Sequence, residues 1–122
     1  KKDSLEDMYE LMLHTDIPIA ADEMVTDIDS VKRVLDHQSA DVFVLKPMLI
    51  GGIHSTAKIV KMVRSEDKRV NLSSLLESNI GRHTYLHMCA AFEIEEECGI
   101  ATNTFFKSDI IDFPKAINYL ST

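Results

Sequence analysis

Short apolar runs return along this chain at an almost constant interval, and that interval restricts the fold more than any single motif. The runs IPIAA, DVFVL, VNLSS and CGIAT start near Ile17, Val42, Val70 and Cys98, separated by 25, 28 and 28 residues. Helical periodicity fills the gaps. Residues 26–37 put Ile28, Val31, Val34 and Leu35 on one side, and Ile53, Ala57, Ile59, Val60 and Val63 form a stripe after Gly51-Gly52. Another helix is expected over 79–92. DVFVL is almost continuously apolar rather than alternating, as in a strand of a parallel sheet covered on both faces. This is the spacing of βα units with right-handed crossovers.

The chain opens on a helix over 4–14, with Ser4 as N-cap and Leu5, Met8, Leu11 and Met12 on one face. It closes on a short helix announced by Asp112 and Pro114. The fold class is therefore α/β, built of parallel (β/α) units. Four units do not fill an eight-stranded (β/α)8 barrel of typically ~250 residues. Two solutions remain: a small doubly wound sheet, or half of a TIM-type barrel. Starting on a helix favours the half-barrel.

Length and charge exclude several classes. At 122 residues with 45% hydrophobic side chains, one packed core is possible. A formal charge of −7, with 20 acidic and 13 basic residues and no basic stripe, argues against nucleic acid as a partner. No apolar run approaches the ~20 residues of a membrane span, so no membrane partner is expected. KKDSLEDMYE does not read as a signal peptide. Cys89 and Cys98 lie in unrelated surroundings without metal or redox spacing, and are expected to be reduced core residues of a cytoplasmic protein. The six methionines read as core filler.

In barrels of this kind the C-terminal strand ends carry the chemistry. Those ends offer Asp22 and Glu23, then Lys46, then Ser73, Ser74 and Glu77, then Thr102 and Asn103. Polar residues are common where strands meet solvent, so the rim alone decides nothing. Lys46, however, follows four apolar residues and precedes Pro47, so its stem starts in the interior. Desolvation would lower its pKa and a nearby carboxylate would raise it. SSLLESNIG runs from a strand into a helix N-terminus, whose free N–H groups suit an anion. Asp22 alone cannot hold Mg²⁺, which takes about six oxygens. Glu93, Glu95, Glu96 and Glu97 lie at the wrong end of a strand and read as a solvated charge run. His83 and His87 are four apart on a helix, without a third ligand nearby, and read as packing or surface residues. Gly51-Gly52 lacks a phosphate-loop pattern and serves a tight turn.

ADEM around Asp22, VLKPMLIGG around Lys46 and SSLLESNIGR from Ser73 resemble the C-terminal part of an enolase-superfamily barrel, in family order and over most of the chain. Lys-Pro and the two-serine Glu-Ser-x-x-Gly segment point to its o-succinylbenzoate synthase branch. The resemblance implies a Mg²⁺ (or Mn²⁺) enzyme, a carbon–oxygen lyase of menaquinone biosynthesis. It would remove a proton α to a carboxylate, then expel hydroxide as water to give o-succinylbenzoate. Asp22 would be the third carboxylate ligand of the metal, at the end of the fifth barrel strand. Lys46, ending the sixth, would stabilise the enediolate rather than take the proton. Ser73 and Ser74 on the seventh strand, with Gly99 in the eighth, would line the pocket of a small carboxylate substrate.

The departure is as informative. The family's K-x-K base strand, its other two carboxylate ligands and its capping domain have no counterpart in these 122 residues. Residues 1–122 are therefore expected to be a C-terminal half-barrel of about four β/α units plus a tail, inactive alone and needing the N-terminal half. The alternatives are a dipeptide epimerase or muconate cycloisomerase-like enzyme of the same superfamily, a Schiff-base lysine barrel built on Lys46, and a non-enzymatic doubly wound domain.

Overall fold

The structure is a computed structural model that describes residues 4–102 and 107–110. The expected helix after Asp112 and the rim residue Asn103 lie outside those residues. Strands β1 (Ala20–Ala21), β2 (Val42–Leu45) and β3 (Arg69–Leu72) form one parallel sheet in chain order. Ala20 pairs with Val42, and Val42 with Arg69, so successive strands advance by one βα unit.

Helices α1 (Leu5–Leu13), α2 (Ile28–Asp36), α3 (Pro47–Ile50), α4 (Gly52–Ser65) and α5 (Asn79–Ala91) connect and cover the strands. Ser4 caps α1 as its sequence indicates, accepting the Asp7 N–H at 3.1 Å. Asp27 and Ser30 make a reciprocal box at α2: Asp27 Oδ1 accepts the Ser30 N–H at 2.7 Å and Ser30 Oγ accepts the Asp27 N–H at 3.0 Å. The long crossover helices end alike. Gln38, Asp67 and Glu93 take positive φ after α2, α4 and α5. The next N–H then reaches back to Val34, Val63 or Cys89, satisfying a last-turn carbonyl. Three equivalent endings mark three equivalent βα units. Gly51, at φ 101°, joins α3 to α4, where an added Cβ would lie 2.9 Å from Ser55 Oγ.

Pleating sorts the strand residues. Ala21, Phe43, Leu45, Val70 and Leu72 are buried against Val31, Val34, Ile59, Val60, Val63, Tyr85 and Met88. Each large side chain sealed there contributes about 1.5–3 kcal/mol. The other face, carrying Val42, Val44, Asn71 and Ser73, is only half-buried. Asn71 Oδ1 on that face finds no hydrogen-bond partner among the described residues.

Three expectations need correction. Leu11 is 51% exposed, because Leu5, Met8 and Met12 share the inward face and Leu11 is about 100° of helix rotation from Met12. Ile53 is 56% exposed, because the buried stripe of α4 runs through Thr56, Ile59, Val60 and Val63. The fourth strand CGIAT is represented by one parallel bridge, Ser73 to Gly99. The chain leaves the sheet after Ser74, and one step earlier the Leu72 N–H meets Cys98 Sγ at 3.3 Å instead of a backbone carbonyl.

Candidate functional site at the strand ends

The same pleat that buries Ala21, Leu45 and Leu72 turns Asp22, Lys46 and Ser73 onto the half-open face at the C-terminal strand ends. Lys46 Nζ donates to Asp22 Oδ1 across β1 and β2. The Lys46 side chain is 15% exposed and that of Asp22 42%, so the amine is the sheltered partner and the carboxylate faces outward. Burial pulls the Lys46 ammonium below its ordinary pKa. Pro47 fixes the chain as it leaves Lys46, whose carbonyl accepts the Leu49 and Ile50 N–H groups at 2.8 and 3.1 Å. Glu23 is exposed beside this pair.

A part-exposed carboxylate suits a hard divalent cation, but supplies only one or two of about six oxygens. Among the described residues no group of three His, Cys, Asp or Glu side chains could hold a metal. As a metal ligand, Asp22 would be one of a larger set.

The neighbouring seam is built differently. Gly99 N–H donates to the Leu72 carbonyl and Ser74 N–H to the Gly99 carbonyl, each at 2.9 Å. Ser73 Oγ and Ser74 Oγ lie 3.3 and 3.2 Å from that same carbonyl. Ser74 is buried and also bonds Thr102 Oγ1 at 3.0 Å, whereas Ser73 stays half-exposed on the face of Lys46. An added Cβ on Gly99 would lie 3.1 Å from Ser73 Oγ, so the glycine permits this approach.

Behind both parts runs a buried relay. Tyr85 OH donates to Glu77 Oε1 at 2.5 Å and accepts the Met48 N–H at 3.3 Å, while the Leu75 N–H also reaches Glu77 Oε1 at 3.0 Å. Burial and the Glu77 carboxylate raise the Tyr85 pKa well above its ordinary value. The relay ties the turn after Lys46 to the loop after Ser74. Sequence reading placed Glu77 on the rim and overlooked Tyr85; the one signal in the sequence was a lone acid after Leu75-Leu76.

Other candidates separate from the site. The α5 N-terminus is already served by an acid, since the Asn79 N–H donates to Asp109 Oδ2 at 2.9 Å. His83 Nδ1 bonds the Asn79 carbonyl at 2.6 Å, and His87 is exposed. Glu93, Glu95 and Glu97 face solvent. A polar concavity of about 440 Å³ beside Asp41, Lys68 and Arg69 sits at the opposite, N-terminal ends of the strands. Cys89 and Cys98 are not in unrelated surroundings: folding of the turn after α5 brings their sulfurs to 3.6 Å, both half-buried.

Residues 1–115 match the family described as enolase C-terminal domain-like. Among curated proteins, the chain is 31% identical over 110 residues to o-succinylbenzoate synthase of Mycolicibacterium smegmatis, covering 89% of this chain and 33% of that protein. Among solved structures it superposes on the L-Ala-D/L-Glu epimerase of Bacillus subtilis with a TM-score of 0.83 and 28% identity, over 92% of this chain and 31% of that one. The dipeptide epimerase of Enterococcus faecalis gives 0.84 at 21% identity, over 93% and 33%. The chain thus spans about a third of the length of the relatives it matches.

Proposed function

The chain belongs to the enolase C-terminal domain-like family, and from that premise we propose that it forms the C-terminal part of a Mg²⁺-dependent dehydratase that makes o-succinylbenzoate from a cyclohexadiene carboxylate. The observation that carries the reading is the Lys46–Asp22 pair: one sheltered cation and one outward carboxylate on adjacent strand ends. Asp22 would hold Mg²⁺ as one ligand of a set completed by residues outside this chain. Bound there, a metal would supply positive charge to offset the negative charge that builds on a substrate carboxylate.

Lys46 presents a fixed ammonium to that same developing charge. A cation already desolvated and aimed reorganises little as charge appears, which is where electrostatic stabilisation is strongest. Ser73, on the same face, would contact the succinyl part of the substrate, with Gly99 allowing the close packing beside it and Ser74 holding the seam in register. The half-open sheet face, whose Asn71 oxygen has no partner among the described residues, is the surface that the N-terminal half-barrel would cover. Residues 1–122 alone are then inactive. Identity to synthases supports dehydration over epimerisation; the likeness to epimerases and a cycloisomerase supports the shared fold.

A substrate panel tests the reading. The chain joined to the N-terminal two-thirds of a related synthase is given Mg²⁺ and, in turn, the cyclohexadiene carboxylate, an Ala-Glu dipeptide and muconate. Dehydration is expected to be the fastest reaction and to stop with EDTA. Faster epimerisation or cycloisomerisation would refute the dehydratase assignment.

A further inference from the structure

The two cysteines lie outside the machinery just described. Cys89 is on the last turn of α5, and Cys98 precedes Gly99 on the segment that bridges to Ser73. Eight residues, the end of α5 and the acidic turn after it, separate them in sequence, yet their sulfurs are 3.6 Å apart. The Ile94 N–H bond to the Cys89 carbonyl, at 3.0 Å, closes the turn that sets this approach. The two thiols differ. Cys89 S–H donates to Cys98 Sγ, which also accepts the Leu72 N–H at 3.3 Å and lies 3.4 Å from the Glu96 carbonyl; the two donors outweigh the opposing effect of Glu96. Those donors favour the Cys98 thiolate and bring its pKa down to about 7, while the same contact keeps Cys89 protonated. Both residues are half-buried rather than sealed.

We propose that Cys89 and Cys98 are an oxidation site that small disulfides convert to an intramolecular disulfide, with Cys98 as the attacking sulfur and Cys89 as the resolving one. The Cys98 thiolate attacks one sulfur of the small disulfide, breaks its S–S bond and releases one small thiolate. The mixed disulfide at Cys98 no longer offers a thiolate to the Cys89 S–H. Cys89 then loses its proton to solvent and attacks Cys98 Sγ, releasing the second small thiolate. Two protein thiols are oxidised and one small disulfide is reduced to two thiols. The bond needs the sulfurs to close from 3.6 Å to about 2.05 Å. It would staple the end of α5 to the strand segment carrying Gly99, and so stiffen the seam beside Ser73.

Oxidised glutathione added to the purified, folded chain tests this by intact mass and free-thiol count. The wild type is expected to lose both thiols and two hydrogens without retaining glutathione. C89S should stop at one stable glutathione adduct, and C98S should react at least tenfold more slowly. A wild type that keeps both thiols, keeps a glutathione adduct or forms a linked dimer would overturn the proposal, as would equal reaction rates for C89S and C98S. None of these readouts depends on enzyme activity, so they stand or fall apart from the dehydratase reading.

Discussion

Two stretches of the strand-end rim are built by opposite means. Across β1 and β2, Asp22 and Lys46 meet through charged side chains at the tips of a regular ladder. Across β3 and the next segment, the contact is backbone: Gly99 threads between the Leu72 carbonyl and the Ser74 N–H, and the serine hydroxyls converge on its carbonyl. The first stretch can change its charge without moving the chain. The second fixes shape and has no ionised group of its own. A site that must both stabilise developing charge and discriminate a substrate gains from keeping these duties on separate strand pairs.

The largest expected effect breaks the charged stretch. In the chain joined to a synthase N-terminal part, Lys46→Ala and Asp22→Asn should each lower kcat by roughly 10²–10³, the usual cost of one preorganised electrostatic contact. Stability should hardly change, because a partly exposed ion pair contributes only about 0–1 kcal/mol. Chemical denaturation alongside turnover separates the two readouts; a large stability loss in Lys46→Ala would make the pair structural.

Core truncation beneath the rim does the reverse. Phe43→Ala removes a fully buried ring of the central strand and should cost about 3–5 kcal/mol in a urea titration. Next comes the relay. Tyr85→Phe leaves the Met48 N–H and part of Glu77 without their buried partner, at about 1–3 kcal/mol, with substrate affinity and turnover both disturbed. No stability change in this variant would show that water replaces the hydroxyl.

Gly99→Ala sharpens the comparison on the seam side. Its Cβ would crowd Ser73 Oγ at 3.1 Å, so KM is expected to rise severalfold with kcat nearly kept. The smallest effect lies away from both stretches, at Asp27. Ser30 hydrogen bonds hold its carboxyl below the ordinary 3.8, so the folded state binds a proton less readily than the unfolded one. That contribution is complete above the unfolded value and fades as pH falls through the folded one. Asp27→Asn should flatten the acid side of the stability profile; an unchanged profile would remove Asp27 as its source.

Much of this was legible in the sequence, for identifiable reasons. The βα period survives because each strand and helix must bury a face, and burial writes its spacing into the residues at Phe43, Leu45, Val31 and Val34. Lys46-Pro47 stood out because the lysine stem starts in the interior after four apolar residues, and Asp22 because it ends the preceding apolar run. Helix-face assignments failed at Leu11 and Ile53, where one residue of rotation decides exposure. The Cys89–Cys98 contact and the Tyr85–Glu77 relay were not legible, since each depends on how a turn closes after the helix or strand ends. The fourth strand read as an equal of the others, yet its pairing reduces to Ser73 and Gly99 because the chain departs toward α5.

The most direct measurement compares o-succinylbenzoate formation by residues 1–122 alone, by a synthase N-terminal part alone, and by the two joined, in Mg²⁺ and with folding checked by circular dichroism. Product is expected only from the joined protein, and is expected to be lost when Lys46 becomes Ala. Product from residues 1–122 alone, or undiminished product from the folded Lys46→Ala protein, would contradict a shared site completed from outside this chain.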